Sequence, residues 1–372
     1  MTGAGLESGL EALAAVHAPD HRLAVWEVTV EERDGTPLLA GVVSAAAALR
    51  DLESLARDAN AGVAVELIPK SDPGAAIHGV AYRSLAHLRA EPRHAAELVS
   101  QMLLGEEALV LRERGEWLQV QTADRYVAWV HGRSLVRHAP ADPAEFRARL
   151  FEGLPPLGRW VVTARGARAV AEPAPYAAPV ADLVQGGIVE VPEIRGRFAR
   201  VILPDGETGW VGRGDVVPAE RISERFTPSG RAVLDHGAQF LGLPYLWGGT
   251  SEKGFDCSGF VQRLYGLHGA RLPRDSDQQA ACGKPVDAGS DGSGIADGDL
   301  AFFSEAPSAR ATHVGILAAG GRVLHSSTGR NGVAWDALFP SAQGFDENGA
   351  RLGAMLIAVR RALVPSAEPA SN

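Results

Sequence analysis

The chain has 372 residues, a formal net charge of −9 and two cysteines, Cys257 and Cys282. That length calls for several domains with cores of their own, and the acidic balance argues against nucleic acid or an anionic membrane as the main partner. Two cysteines cannot frame a disulfide scaffold, no run approaches a membrane span, and MTGAGLESGLEALAAVHAPD at the start lacks a basic n-region and a long apolar stretch. Together these features predict a protein of a reducing compartment, the cytoplasm.

Residues 1–79 read as a small αβ module. A short Ala-rich helix or loose arm covers 1–20, and from Val25 the residues Val25, Glu27, Thr29 and Glu31 alternate with Trp26, Val28 and Val30 as in a strand. Asp34 and Gly35 mark a turn, Ser44 is expected to cap a helix running to about Ala59, and Val63 to Ile68 reads as another strand. The module shows no chemistry, and its expected job is packing or partner contact.

Residues 80–140 and 158–222 form an internal repeat at a constant offset of 81, which matches Trp129 with Trp210, Gly105 with Gly186, Gly115 with Gly196 and Val130 with Val211. Each copy predicts a small β-barrel that ends in a YVAWV or ETGWV strand. Residues 141–157, around Pro143 to Phe151, read as a helical linker. Tyr126 has Glu207 as its counterpart, so the aromatic belongs to the first copy alone.

Residues 226–362 carry the chemistry, and 363–372 are expected to be a disordered tail. In PYLWGGTSEKGFDCSGF, residues 244–260, Asp256 is a helix N-cap, and Phe260, Val261, Leu264, Tyr265 and His268 recur at helical spacing until Gly269. Cys257 therefore starts a helix, where the dipole and unpaired N–H groups favour a thiolate. The competing reading is a small buried core residue. Downstream, Thr312 to Leu317 and Arg322 to Ser326 predict a hairpin with a histidine on each strand. A two-residue turn at Gly320 and Gly321 would set His325 opposite Ile316, on the other face from His313. A three-residue loop with a bulge, Ala319 to Gly321, sets His325 opposite Gly315 and diagonal to His313, and this is the register predicted here. A cysteine on a helix start, a histidine base and a polar group that orients the base make up a nucleophile triad.

The series FDCSGF, LPRDSDQQ, DGDLAFF, THVGIL and RVLHSS resembles the NlpC family of bacterial cell-wall cysteine peptidases, and the two repeats resemble bacterial SH3-like barrels. The resemblance implies a multidomain chain: the N-terminal αβ module, two SH3-like β-barrels and a C-terminal papain-like α+β catalytic domain. Carried over, Cys257 matches the nucleophile, His313 the base and His325 the residue that orients it. Tyr245 matches a tyrosine whose hydroxyl lies close to the nucleophile, and Asp256 and Ser258 match positions that line the substrate groove. Arg274, Gln279 and Asp299 are expected to satisfy buried backbone groups. Two barrels ahead of such a domain further resemble the γ-D-glutamyl-L-diamino acid endopeptidases that process cell-wall tripeptides. This implies a first barrel that blocks the far end of the groove, with Tyr126 and either Glu91 or Glu97, together with Asp256, meeting the free amine of an N-terminal L-alanine.

The substrate implied is a peptidoglycan-derived peptide, with no metal and no cofactor. Three other functions stay open on the residues: a metal site of Cys257, His313 and His325, which has no Cys-x-x-Cys or His-x-x-x-His spacing behind it; a non-catalytic peptidoglycan-binding protein; and a broader amidase or acyltransferase on the same fold.

Overall fold

The computed structural model describes residues 3–70, 74–152, 158–305 and 310–362, so the expected tail at 363–372 lies outside the described residues. The chain divides into two units, Met1–Val80 with Leu88–Glu97 and Glu107–Leu154, and Ala81–His87 with Leu98–Glu106 and Pro155–Asn372. Among the described residues no helix is long and apolar enough to cross a membrane.

The first unit opens with α1 (Gly3–His17), β1 (Trp26–Arg33), β2 (Thr36–Val43), α2 (Ala46–Ala59) and β3 (Gly62–Leu67). Asp34 and Gly35 take φ of 54° and 76°, the left-handed pair that a two-residue hairpin turn needs, and β1 and β2 pair from Arg33↔Thr36 outward. After α2 the chain returns as β3, parallel to β2, and Leu39, Val43, Ala48, Leu52 and Ala56 fill the space between helix and sheet. Ser44 does not cap α2. Its hydroxyl accepts the Val25 N–H at 2.9 Å, closing the end of the β1–β2 pair, and the helix starts behind Ala45 with no side-chain cap. Next along the chain come the barrel strands β4 (His78–Ala81), β5 (Leu85–Arg89), β6 (Leu98–Leu103), β7 (Glu107–Arg114), β8 (Trp117–Thr122), β9 (Val127–His131) and β10 (Leu135–His138), then α3 (Pro143–Glu152); β6, the start of β5 and Ala81 of β4 belong to the second unit. Val25, Ile68, Ile77, Leu109, Leu111, Phe146 and Leu150 form one buried cluster, so module, barrel and helix share a core within this unit.

In the second unit the barrel strands are β11 (Arg159–Val162), β12 (Arg168–Val170), β13 (Pro179–Asp182), β14 (Ile188–Arg195), β15 (Phe198–Ile202), β16 (Thr208–Gly212) and β17 (Val216–Pro218), in sheet order β13-β12-β16-β15-β14-β11-β17. The offset of 81 survives in the register: Gln119 pairs with Trp129 in one barrel and Arg200 with Trp210 in the other.

The C-terminal region continues with α4 (Ile222–Arg225), α5 (Gly230–Ala238), β18 (Thr250–Ser251), β19 (Gly254–Phe255), α6 (Cys257–Leu267), α7 (Ser276–Gln279), β20 (Lys284–Pro285), β21 (Asp299–Phe303), β22 (His313–Ala318), β23 (Arg322–Ser327), β24 (Gly332–Ala337), α8 (Glu347–Ala354) and β25 (Leu356–Arg361). Its six-stranded sheet runs β20-β25-β21-β22-β23-β24, antiparallel throughout. Phe260, Val261, Leu264 and Tyr265 of α6 pack with Val314, Ile316 and Leu324, while Ala301, Phe303, Leu317 and Val323 form a second cluster with Phe339. Alternation along β22 and β23 separates the two sets, as a sheet covered on both faces requires. The segment Leu98–Glu106 is built into this unit. Thr250 N–H donates to Gln101 Oε1 (2.9 Å), Arg263 Nη1 meets Glu106 Oε1 (2.7 Å), and Leu104 joins the core of the second barrel. On α5, His236 Nε2 lies 2.8 Å from Gln185 Oε1, and its Nδ1 lies 3.2 Å from Nε2 of His268; burial holds His236 down to about 3.

Candidate active site

α6 begins where Asp256, in extended conformation, accepts the Gly259 N–H at 2.6 Å, and it ends at His268 ahead of Gly269, whose φ of 86° suits a residue without Cβ. Cys257 is thus the first helical residue, but it is only 9% exposed. Burial, with the neighbouring Asp256 carboxylate second, pushes its thiol up to about 12, although the N–H groups of Val314 and Ser258 point at the sulfur and act the other way. The expected thiolate is therefore not the resting form. Loss of water at the sulfur outweighs what the helix start offers.

Beneath the helix start lies a closed polar network. Arg274, 1% exposed, reaches Asp256 through Nη2–Oδ2 (2.5 Å) and Nη1–Oδ1 (3.1 Å), Ser258 Oγ through Nη1 (2.8 Å) and Ser100 Oγ through Nε (3.0 Å). Asp256 Oδ2 also accepts the Gly248 N–H at 3.0 Å. Each oxygen of Asp256 thus has at least two donors, and its charge is matched by a guanidinium. Ser258 is buried in the same network, so the two side chains expected to line the groove both bond at the helix start. Gln279 Nε2 donates to the carbonyls of Ser258 (3.0 Å) and Pro273 (2.9 Å), and Arg361 binds Asp299 with two contacts of 2.7 and 2.8 Å.

The other half of the site hangs on the sheet. Ala318 pairs with Arg322 and Ile316 with Leu324, which is the register of the three-residue loop Ala319 to Gly321; no shift interrupts these pairs. His313 and His325 share a face, with His313 Nε2 2.8 Å from His325 Nδ1. His325 Nε2 in turn lies 2.9 Å from Asp336 Oδ2 on β24. Burial, and second the neighbouring His325, hold His313 down to about 3, so its ring is neutral. Asp336 stays well below the usual carboxylate range because hydrogen bonds from His325 and Arg330 outweigh its burial. Cys257 meets this half through the N–H of Val314, the residue after His313. Tyr245 stands close to the thiol: burial first, then negative charge at Cys257 and Asp256, raises its hydroxyl above the ordinary tyrosine range.

Sequence reasoning missed Asp336, Arg330, Asn348 and Ser100. A signal for Asp336 was present, a single acid inside the apolar strand GVAWDALF. Tyr126 and Glu91 belong to the first unit. Tyr126 is buried, and Glu91 is exposed and held by Arg93 Nε (3.0 Å) and Nη2 (3.2 Å), which lower its pKa.

The profile of the NlpC/P60 family matches residues 242–343, and that of the bacterial dipeptidyl-peptidase Sh3 domain matches residues 88–135. A γ-D-glutamyl-L-lysine dipeptidyl-peptidase of Bacillus cereus is 36% identical over 135 residues, covering 36% of this chain and 39% of its own length. Its namesake from Bacillus subtilis is 30% identical over 254 residues, 62% of this chain and 73% of that one. A crystal structure of an NlpC/P60 family protein from Bacillus cereus shares the fold, with a TM-score of 0.61 at 23% identity over 77% of this chain and 100% of that one. The chain belongs to the NlpC/P60 family of cysteine peptidases, with a bacterial dipeptidyl-peptidase SH3 domain ahead of its NlpC/P60 domain.

Proposed function

We propose that this chain is a cysteine endopeptidase that cuts the γ-D-glutamyl to diamino acid bond of cell-wall peptides with a free N-terminal L-alanine, releasing L-Ala-γ-D-Glu. The hydrogen-bonded line from His313 through His325, beside a cysteine at a helix start, carries this reading. The names of the two Bacillus relatives support the bond and the dipeptide product. In the reaction, Cys257 Sγ attacks the γ-carbonyl as its proton passes to His313, and Tyr245 assists the oxyanion. His313 then returns the proton to the departing amine, and water, deprotonated by the same ring, releases the acyl group from sulfur. A neutral thiol beside a neutral imidazole suits a proton that moves during attack.

The specificity follows from the amine. It is a cation near neutral pH, and burying it costs free energy unless acceptors meet it. The acceptors we propose for it are Asp256, Tyr126 and one of Glu91 or Glu97, in a groove that admits two residues before the cut bond. Such an enzyme meets small recycled peptides, in keeping with a cytoplasmic site of action. The division we propose is 1–79, 80–140, 141–157, 158–222 and 226–362. Incubating the protein with L-Ala-γ-D-Glu-diaminopimelate and L-Ala-γ-D-Glu-L-lysine, with and without iodoacetamide, tests the reading. Mass spectrometry should find the dipeptide only without the alkylating agent; no product from either peptide, or a cut elsewhere, overturns it.

A further inference from the structure

Asp336 has no part in a cysteine–histidine–histidine triad, yet its two oxygens are used very differently. Oδ1 accepts from Arg330 Nε (3.0 Å), from Arg330 Nη2 and from Asn348 Nδ2 (3.1 Å). Oδ2 faces His325 Nε2 at 2.9 Å, and the Nδ1 of that ring faces His313 Nε2 at 2.8 Å. A carboxylate can only accept, so Nε2 of His325 carries a proton, and a ring that holds one proton leaves its Nδ1 bare. A bare Nδ1 there has to receive the proton on His313 Nε2. That leaves Nδ1 as the one nitrogen of His313 able to take a proton from a thiol.

We propose that Asp336 is a positioning residue that fixes the tautomers of both histidines, so that His313 offers Nδ1 as the base. The inference rests on the reading of Cys257 and His313 as nucleophile and base. Arg330 and Asn348 complete the device, because three donors on Oδ1 decide how any amide at this position must turn.

Asp336→Asn is the decisive variant. Its amide oxygen is drawn to those three donors, which aims the NH2 at His325 Nε2. That nitrogen then has to accept, the ring proton moves to Nδ1, His313 Nε2 accepts in turn, and His313 Nδ1 is left protonated and unable to act as a base. We expect kcat to fall by more than about a hundredfold while KM changes by less than about threefold, the pattern of a wrong tautomer and not of a lost binding contact. Nitrogen-15 NMR near pH 8 should show bare Nδ1 on both histidines in the unaltered protein and the reverse in Asp336→Asn. A smaller loss of kcat in a folded Asp336→Asn protein overturns the proposal, and so does a bare Nε2 on His325 in the unaltered protein. If the variant does not fold, the spectrum of the unaltered protein decides alone. The spectrum needs no substrate, so an unaltered protein with the expected tautomers and no peptidase activity upholds the relay and overturns the proposed function.

Discussion

The helix side and the sheet side of the site each bury one carboxylate against one arginine. At the helix start Arg274 has a side chain 1% exposed, and Asp256 also accepts from the N–H groups of Gly248 and Gly259 and from the Ser258 hydroxyl. On the sheet Asp336 is 1% exposed, but Arg330 reaches it from a side chain 36% exposed, and the remaining oxygen goes to an imidazole. The first pair holds backbone in place and is largely buried on both partners. The second holds a titratable ring and keeps one partner at the surface. The same two residue types therefore serve as a frame in one place and as an orienting group in the other, and the difference lies in what the carboxylate touches next.

The largest effect should come from the thiol itself. Cys257→Ala is expected to abolish hydrolysis of the tripeptides and to lower stability by no more than about 1.5 kcal/mol, the range for one buried methyl-sized group. Turnover in that protein would remove the helix side from the chemistry altogether. On the sheet side, His313→Ala should lower kcat more than His325→Ala, because a base costs more to lose than the group orienting it.

Stability should separate the two arginines. Arg274→Ala leaves the Asp256 carboxylate buried without its partner, and a loss of about 3–5 kcal/mol in denaturant unfolding is expected. Arg330→Ala should cost about 1 kcal/mol or less, since water reaches that guanidinium and can take its place. Equal losses would mean that the two pairs are the same device.

Next in size is the substrate amine. N-acetylating the alanine of L-Ala-γ-D-Glu-diaminopimelate removes the cation and adds bulk, and kcat/KM should drop by about a hundredfold, near 3 kcal/mol. Equal rates for the two peptides would leave the groove open at that end.

Acid should act through the buried histidines. His236 and His313 have pKa values lowered from 6.5 to about 3 by burial, so above pH 6.5 each is neutral whether folded or unfolded. As pH falls below 6.5 the unfolded chain takes up protons that the folded chain refuses until about 3, and stability declines across that window. His236→Gln should make the decline shallower in thermal melts recorded along a pH series. An unchanged slope would mean that folded His236 takes its proton as readily as the unfolded chain does.

Much of this arrangement was legible in the residues because it is local. An N-cap at Asp256, a stop at Gly269, a hairpin turn at Asp34 and Gly35, and the register around Ala319 to Gly321 each depend on neighbours a few positions away. The barrel repeat was equally visible, since an offset of 81 in sequence became the same strand pairing twice. What escaped was side-chain partnership across distance. Ser44 had the composition of a cap, but its hydroxyl found the Val25 N–H, and nothing in the order of residues ties Arg274 to Ser100 or Asp336 to Arg330. The state of the thiol escaped for a related reason: a helix start is visible in sequence, and the exclusion of water around it is not.

Leu98–Glu106 decides where this chain can be cut. The stretch lies far from Cys257 in sequence, yet Thr250, Arg263 and Arg274 all take hydrogen-bond partners from it, and Leu104 fills a core on the far side of the linker. A fragment beginning after the linker would lose the bonds from Thr250 N–H to Gln101 and from Arg274 Nε to Ser100, at about 0.5–3 kcal/mol for each. Excising the peptidase, or grafting it behind another domain, therefore means carrying this short ribbon along with it. A transplant that respects only contiguous sequence boundaries should melt well below the intact chain.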